Sequence, residues 1–415
     1  MLVKNFRVWH SSLECSRIWT RQRSFLYNET GKIMGKRRNI VVISMLLSLY
    51  GTCFAGWQMD EFLISFWGGP ENPSQAAAIR RAHFTTVMCR LSYLDLCRDA
   101  GLKAILFDIS PSQARRLRAE DSVWGYSLKD EPENHEFPRI ARLAKSLRRA
   151  DPGHPVYVNL GWKADPDLFV RTVKPQILSF DDYRWWWKED FLPLLDKYRR
   201  ISLEEDLPLL FWVEANTGPD SEAGPGAVYP ADNMARIRSS VFTALAYGAR
   251  GIQWFVDRLI FDGSRLTHAG EDVALVNAEL KNLGPVLMKL RSSEVYHCGS
   301  GQVPRGARSL PRDFWVQTST PEGLIGLFKD SAGRDYIMAV NRGTEHTRQA
   351  RLRFKTPVSR AQLLDKKSGR WIDLSLEQIS TAGREAEDLS PQPTVLVEIR
   401  FPLSPGDGEL IRIDE

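Results

Sequence analysis

The sequence predicts an α/β chain: a (β/α)8 barrel, the TIM-barrel architecture, followed by an antiparallel β-sandwich. Three observations carry the prediction. From Met59 to about Leu290, short apolar runs alternate with amphipathic stretches, which is the pattern of βα units around a parallel sheet. Eight such runs occur over roughly 230 residues, the expected size of a (β/α)8 barrel. After about Ser292 the texture changes to short strands separated by Gly, Pro, Ser and Asp, continuing for about 110 residues as a sandwich domain would.

The eight predicted barrel strands are Phe62–Trp67, Thr85–Cys89, Ala104–Asp108, Val123–Lys129, Pro155–Leu160, Gln176–Phe180, Pro208–Val213 and Gly251–Phe255. Each is a run of β-branched, aliphatic or aromatic residues closed by a turn former. Between them, Pro138–Arg149 and Met234–Tyr247 repeat apolar residues at helical spacing, and Glu271–Leu290 is the last helix. An open doubly wound sheet is the alternative, but no Gly-rich dinucleotide fingerprint follows the first strand. In the C-terminal part, strands are expected at Trp315–Thr318, Gly323–Lys329, Tyr336–Asn341, Arg351–Lys355, Ala361–Leu364 and Val395–Phe401. The Gly-, Pro- and Ser-containing stretch Cys298–Arg308 is the expected linker, giving a barrel over 56–297 and a sandwich over 298–415.

The first 55 residues have a different character. Met34-Gly-Lys-Arg-Arg is a basic start, Ile40–Tyr50 an uncharged apolar run, and Thr52-Cys-Phe-Ala55 a small-residue approach to a cut after Ala55. Residues 34–55 therefore read as a signal peptide, and the protein as secreted or periplasmic. A lipoprotein cut before Cys53 fits the motif less well. The apolar run is short for a bilayer span, so no stable membrane span is expected once the signal is removed. Residues 1–33, upstream of a complete signal, read as a non-native extension with translation starting at Met34.

The formal charge of +5 comes from this leader. Residues 1–55 hold nine Lys/Arg against two Glu, which leaves the body at −2. That balance gives no reason to expect a nucleic-acid partner. The five cysteines, three of them beyond Ala55, form no disulfide framework, and buried free thiols are expected at Cys89 and Cys97. No CxxC, HExxH or clustered histidines indicate a metal. His83, His135 and His154 read as loop or helix-edge residues. Oligomeric state is not readable.

Barrel enzymes place chemistry at the C-terminal ends of their strands. In this chain those ends carry acids and aromatics: Trp67 after strand one, Asp108 after three, Asp130-Glu131-Pro132 after four, and Asn159 at five. Asp181-Asp182-Tyr183 and then Trp185–Trp187 come after strand six, Trp212 and Glu214 close seven, and Trp254 closes eight. Two carboxyls across a barrel mouth, flanked by aromatic faces, are what glycoside hydrolysis requires. Glu131 and Glu214 are the candidate catalytic pair. Asp130, Trp67, Asp108, Asn159, Asp181, Asp182, Tyr183, Trp212 and Trp254 are the candidate substrate-binding residues, and no cofactor is needed.

The motifs GYSLKDEPE, PVYVNLGW, ILSFDDY and TALAYGARGIQWF resemble the clan A glycoside hydrolases, and within them bacterial relatives of the family 42 β-galactosidase-like group. The resemblance covers roughly residues 57–415 and implies an acid/base at Glu131, a nucleophile at Glu214, a retaining mechanism and a carbohydrate substrate. One position departs: Asp130 stands where the clan usually has Asn. An acid there can accept from a sugar hydroxyl but not donate, and it raises the proton affinity of its neighbour. Two alternatives stay open. One is an inverting hydrolase with Asp181, Asp182 or Glu214 as base; the other is a non-catalytic carbohydrate-binding barrel.

Overall fold

The computed structural model describes residues 57–183, 191–218, 228–299, 303–380 and 395–415. The expected signal segment, the upstream extension and Trp185–Trp187 lie outside the described residues. Gly56–Glu415 forms one compact unit.

Eight parallel strands form the barrel: β1 (Leu63–Phe66), β2 (Thr86–Arg90), β3 (Lys103–Phe107), β4 (Val123–Asp130), β5 (Val156–Leu160), β6 (Leu178–Phe180), β7 (Leu209–Glu214) and β8 (Gly251–Phe255). Neighbours in sequence pair in space, and β8 pairs with β1 in register Leu63 to Gly251. The ring is completed between β1 and β2, where Thr85 N donates to Ile64 O and Met88 N donates to Gly68 O, each at 3.0 Å.

Three of the intervening helices begin at a polar cap followed by proline. These are α1 (Pro73–Arg81) after Asn72, α3 (Pro111–Arg116) after Ser110 and α5 (Pro166–Val173) after Asp165. The cap oxygen accepts from a first-turn N–H, and proline at N1 costs no hydrogen bond. Helix α2 (Leu94–Asp99) is short, and α4 (Phe137–Ala150) buries Phe137, Ile140, Ala144 and Leu147 along one stripe. Helix α6 is Phe191–Glu204.

Helix α7 (Asn233–Ala246) is different, because it is buried nearly all round. One face packs on β7; the other meets the C-terminal sheets. Two short elements come after β8: α8 (Asp257–Ile260) and the hairpin of β9 (Phe261–Asp262) and β10 (Arg265–Leu266). Helix α9 (His268–Leu287) completes the outer layer. Among the described residues no helix is long and apolar enough to cross a membrane.

The C-terminal part holds two antiparallel sheets. One contains β11 (Arg291–Cys298), β13 (Gly323–Lys329), β14 (Asp335–Asn341), β20 (Gly408–Asp414), β16 (Arg360–Asp365) and β17 (Arg370–Asp373). The other contains β12 (Val316–Thr318), β15 (Arg348–Phe354), β19 (Val395–Leu403) and β18 (Glu377–Ser380). Ile325, Ile337 and Ile411 of the first share one apolar cluster with Leu352, Ile399 and Phe401 of the second. Strand β11 starts at Arg291, inside the stretch that the sequence reading gives to the barrel, and occupies the start of the expected linker.

Close approach joins the sheets to the barrel. A Cβ on Gly326 of β13 would stand 2.2 Å from Ala246 O of α7, so only glycine lets the strand lie against the helix end. Beside it runs a buried ionic cluster. Arg238 of α7 pairs with Glu279 of α9 (2.9 Å) and Asp407 (2.7 Å), and Lys366 pairs with Asp407 (2.6 Å) and Glu409 (2.9 Å). Asp407 holds two cations at once, and they keep its carboxyl below the usual range against burial, which would raise it. Burial pushes Glu409 up to about 7. Cys89 and Cys97 are buried free thiols with sulfurs 3.9 Å apart.

Asp407→Ala leaves Arg238 and Lys366 buried with one partner fewer. It is expected to lower stability by about 3–5 kcal/mol in urea unfolding, as breaking a buried pair does. A loss under about 1 kcal/mol would show that the cluster is hydrated and weak.

Candidate functional site

Barrel strands alternate inward and outward residues. The inward residues Leu63, Met88, Ile105, Trp124 and Leu210 pack the interior with Trp212. A polar chain lies over this packing. Trp212 Nε1 donates to Tyr157 Oη at 3.0 Å, and Tyr157 Oη donates to Gln253 Oε1 at 3.0 Å. Tyr157 Oη also stands 2.9 Å from Ser179 Oγ, which donates to Asn159 Oδ1 at 3.0 Å. Asn159 Nδ2 then donates to Asp130 Oδ1 at 3.3 Å. Strands β4 to β8 are thus linked by side chains that leave few free rotamers.

The chain ends on Asp130 because β4 is bulged. Ser127 pairs with Tyr157, but Lys129 pairs with Val158 and Asp130 with Asn159, so one extra residue is taken up after Ser127. Without it, Lys129 would point into the barrel and Asp130 toward the helices. Lys129 instead lies outside, 3.9 Å from Glu136. The next residue, Glu131, has φ +41°, and its N–H donates to Asn159 O at 3.0 Å. A left-handed backbone at a non-glycine costs about 1–2 kcal/mol, and such strain collects at functional sites. Gly161 gives the glutamate room: a Cβ there would lie 3.0 Å from Glu131 Cδ.

Asp181, inward just past β6, faces Glu131. It is buried, and its Oδ1 has no hydrogen-bond partner among the described residues. Burial, then the charge of Glu131, a hydrogen bond with that carboxyl, and the charge of Asp130 push Asp181 up to about 8. It therefore holds a proton at neutral pH. Asp130 is open to solvent at its edge, yet crowding around its carboxyl raises its proton affinity. The charge of Glu131 adds to the rise and the Asn159 bond opposes it.

Tyr183 stacks on Phe255 with ring centres 5.2 Å apart. Burial raises its phenol strongly, and the charges of Asp181, Glu214 and Asp130 add to the rise. The three acids therefore surround one tyrosine at one end of the barrel. Glu214 is half-buried on the inward face of β7, two residues beyond Trp212.

The structure thus brings Asp130, Glu131, Asn159, Asp181, Tyr183 and Glu214 together. Trp67 is half-buried at the same end, packed on Phe107 (5.2 Å) and Trp212 (6.0 Å). Asp108 is exposed beyond β3 with φ +57°. Two expectations are corrected. Trp254 has the outward parity, is fully buried, and donates Nε1–H to Asn277 of α9 at 2.8 Å, so it offers no face to a ligand. Trp212 points inward but is 1 % exposed and lies beneath the acids as support. Asp182, one residue out of phase with Asp181, lines a small cavity with Phe211, Ser240 of α7, Tyr183 and Glu214.

The sequence reading passed over Tyr157, Ser179 and Gln253. Their signal was parity: they share the inward face with Asn159, Asp181 and Phe255. It also passed over Trp162, which is 43 % exposed and lines a groove of about 580 Å³ with Glu131, Asn134, His135 and Lys163. Among the described residues no group of three or more His, Cys, Asp or Glu is arranged to hold a metal.

No family model matches the chain, and no curated protein matches it. Solved structures do. A GH27-β-L-arabinopyranosidase from Geobacillus stearothermophilus aligns at a TM-score of 0.50 and 10 % identity, over 86 % of this chain and 97 % of that one. A maltogenic α-amylase from Thermotoga neapolitana aligns at 0.47 and 8 % identity, over 86 % and 99 %. A GH30 subfamily 8 xylanase from Clostridium acetobutylicum aligns at 0.40 and 10 % identity, over 88 % and 98 %. At such identities the likeness to the arabinopyranosidase is one of fold.

Proposed function

We propose that the chain is a glycoside hydrolase that cleaves an O-glycosidic bond of an oligo- or polysaccharide at the C-terminal mouth of the barrel. The observation that carries the reading is the convergence of Asp130, Asp181 and Glu214 around Tyr183, with Glu131 against Asp181 and the proton affinity of Asp181 raised by burial and by that neighbour. Two carboxyl groups in unlike environments supply the acid and the carboxylate that the reaction needs. The fold shared with a β-L-arabinopyranosidase agrees with it. The finer likeness to the family 42 group rests on the sequence motifs, as does export from the cytoplasm. The C-terminal sheets are taken as a β-sandwich on their shared core.

In this mechanism the one proton that Asp181 and Glu131 share passes through Glu131 to the leaving oxygen while Glu214 attacks the anomeric carbon, and the glycosidic C–O bond breaks as a glycosyl ester forms. Glu131, left as a carboxylate, takes a proton from the water that attacks the anomeric carbon, and the bond from that carbon to Glu214 breaks to free the Glu214 carboxylate. Asp181, protonated beside Glu131, keeps the pair one charge short of full ionisation. A water-activating role for Asp181 fits less well, because a base must be ionised at the working pH.

Glu131→Gln and Glu214→Gln are each expected to lower kcat on aryl-glycosides by about 10³-fold or more, as losing an essential carboxyl does. Full activity in both variants, with sugar binding unchanged, would reduce the barrel to a binding protein. The configuration of the first-formed sugar, read by proton NMR, should be retained; inversion would make Glu214 the water-activating base.

Activity on substrates with poor leaving groups should fall as pH rises through about 8, where Asp181 loses its proton. Asp181→Asn should move that alkaline limb, because the group that titrates there is gone.

Stability has a related signature. Asp181 binds its proton more tightly folded than unfolded, so its contribution is full below about pH 4 and is lost by about pH 8. The Asn variant should therefore melt at least about 1 °C above the parent at pH 9, which corresponds to roughly 1 kcal/mol at this size. An equal or lower melting temperature at that pH would show that Asp181 is hydrated.

A further inference from the structure

A second cavity lies at the opposite end of the barrel. Its volume is about 530 Å³. It is bounded by residues preceding β6, β7 and β8 (Gln176, Pro208, Arg250), by Arg199 of α6, and by Arg291 and Ser292 of β11. It is therefore a space between the N-terminal face of the barrel and the first strand of the C-terminal sheets.

Its charge is unbalanced. Arg199 is 7 % exposed, and its Nε donates to Ser292 Oγ at 3.1 Å. Its Nη2 is enclosed, with no hydrogen-bond partner among the described residues. No carboxylate among those residues lies within ion-pair reach of Arg199; the charge of Asp196 acts on it only from farther away. Arg250 has one long hydrogen bond, to Leu290 O at 3.4 Å, and no ion pair among the described residues. Burial makes both guanidiniums easier to deprotonate than usual, and the more distant charges of Asp196 and Glu294 on Arg199, and of Asp206 on Arg250, offset it only in part. Arg291 sits at the rim, donating to Leu203 O at 3.2 Å. The acid there, Asp206, stands 3.7 Å from Arg291 and is almost wholly exposed, which makes a weak partner.

A buried guanidinium without a partner is costly. Elsewhere this chain pairs buried cations, as Arg238 and Lys366 show. Arg199 and Arg250, like Arg342 elsewhere in the chain, have no ion pair among the described residues, and at Arg199 and Arg250 the gap coincides with a cavity large enough for a small molecule. We propose that this cavity binds a small organic oxyanion, a carboxylate or phosphate monoester whose charged head sits against Arg199, Arg250 and Arg291. Guanidinium forks match the planar edge of a carboxylate and two oxygens of a phosphate alike. Trp57, Tyr247 and Phe328 supply walls for the body that carries the charge. The site is separate from the acids at the mouth and holds whether or not the hydrolase reading does.

The test is thermal melting and calorimetric titration of the intact chain with inorganic phosphate, glucuronate and glucose 6-phosphate, against glucose and chloride at matched ionic strength. Saturable stabilisation by at least one oxyanion and none by glucose is expected. Arg199→Met and Arg250→Met should each weaken binding by about tenfold or more, the loss of one charge-assisted contact. Arg199→Lys, which keeps the charge, should weaken it less and guards against a folding defect. Response to phosphate alone places the phosphate ester as the ligand class, and response to glucuronate alone the carboxylate. Two results would overturn the proposal: no saturable effect of any oxyanion on the parent, or an equal effect on parent and folded Arg variants.

Discussion

The hydrogen-bonded chain from Trp212 through Tyr157, Ser179 and Asn159 to Asp130 is the constraint on which the rest of the mouth depends. Its lower end is anchored in a fully packed interior, and its upper end is a carboxylate. Each member is buried or half-paired, so moving one leaves the next with an unmet donor or acceptor. That is why Asp130 takes one orientation, why the β4 bulge is needed to aim it, and why Glu131 comes next with a strained backbone. Asp181 and Glu214 then need only the inward parity of β6 and β7 to join them.

Much of this was legible in the sequence, for a physical reason. Barrel strands are apolar on both faces and bounded by turn formers, so the eight runs stood out, each within two residues of the observed strand. Acids cannot occupy the packed middle of a barrel, so their place at strand ends was also readable. Phase within a strand was less so. Asp181 and Asp182 are alike as letters, and only the register of β6 separates the residue that faces Glu131 from the one that faces α7. Trp254 failed for the same reason: its position at the last strand was right and its direction was not. The β4 bulge leaves no mark in a pattern of letters, although it decides that Asp130 and not Lys129 enters the site.

The C-terminal sheets show the opposite balance. Their central strands β13, β14 and β19 were visible as runs bounded by turn residues. Strands β11 and β20 were not, because Arg291–Cys298 and Gly408–Asp414 mix charge with short apolar stretches. Both strands border the barrel. Ser292 of β11 meets the arginines below it, and Glu409 of β20 belongs to the ionic cluster at Asp407, so polar residues stand where a free sheet would carry apolar ones.

Helix α7 has a consequence for how such a chain can be cut and recombined. A barrel helix ordinarily presents a wet face that tolerates any neighbour. This one is apolar on both sides, and Gly326 meets its end with no space for a methyl group. The barrel alone would therefore expose a greasy outer wall, with Arg238 stripped of Asp407, and the sheets alone would lose their floor. The two parts differ in architecture but form one compact unit, and a cut between them would strip α7 and Arg238 of the partners that cover them.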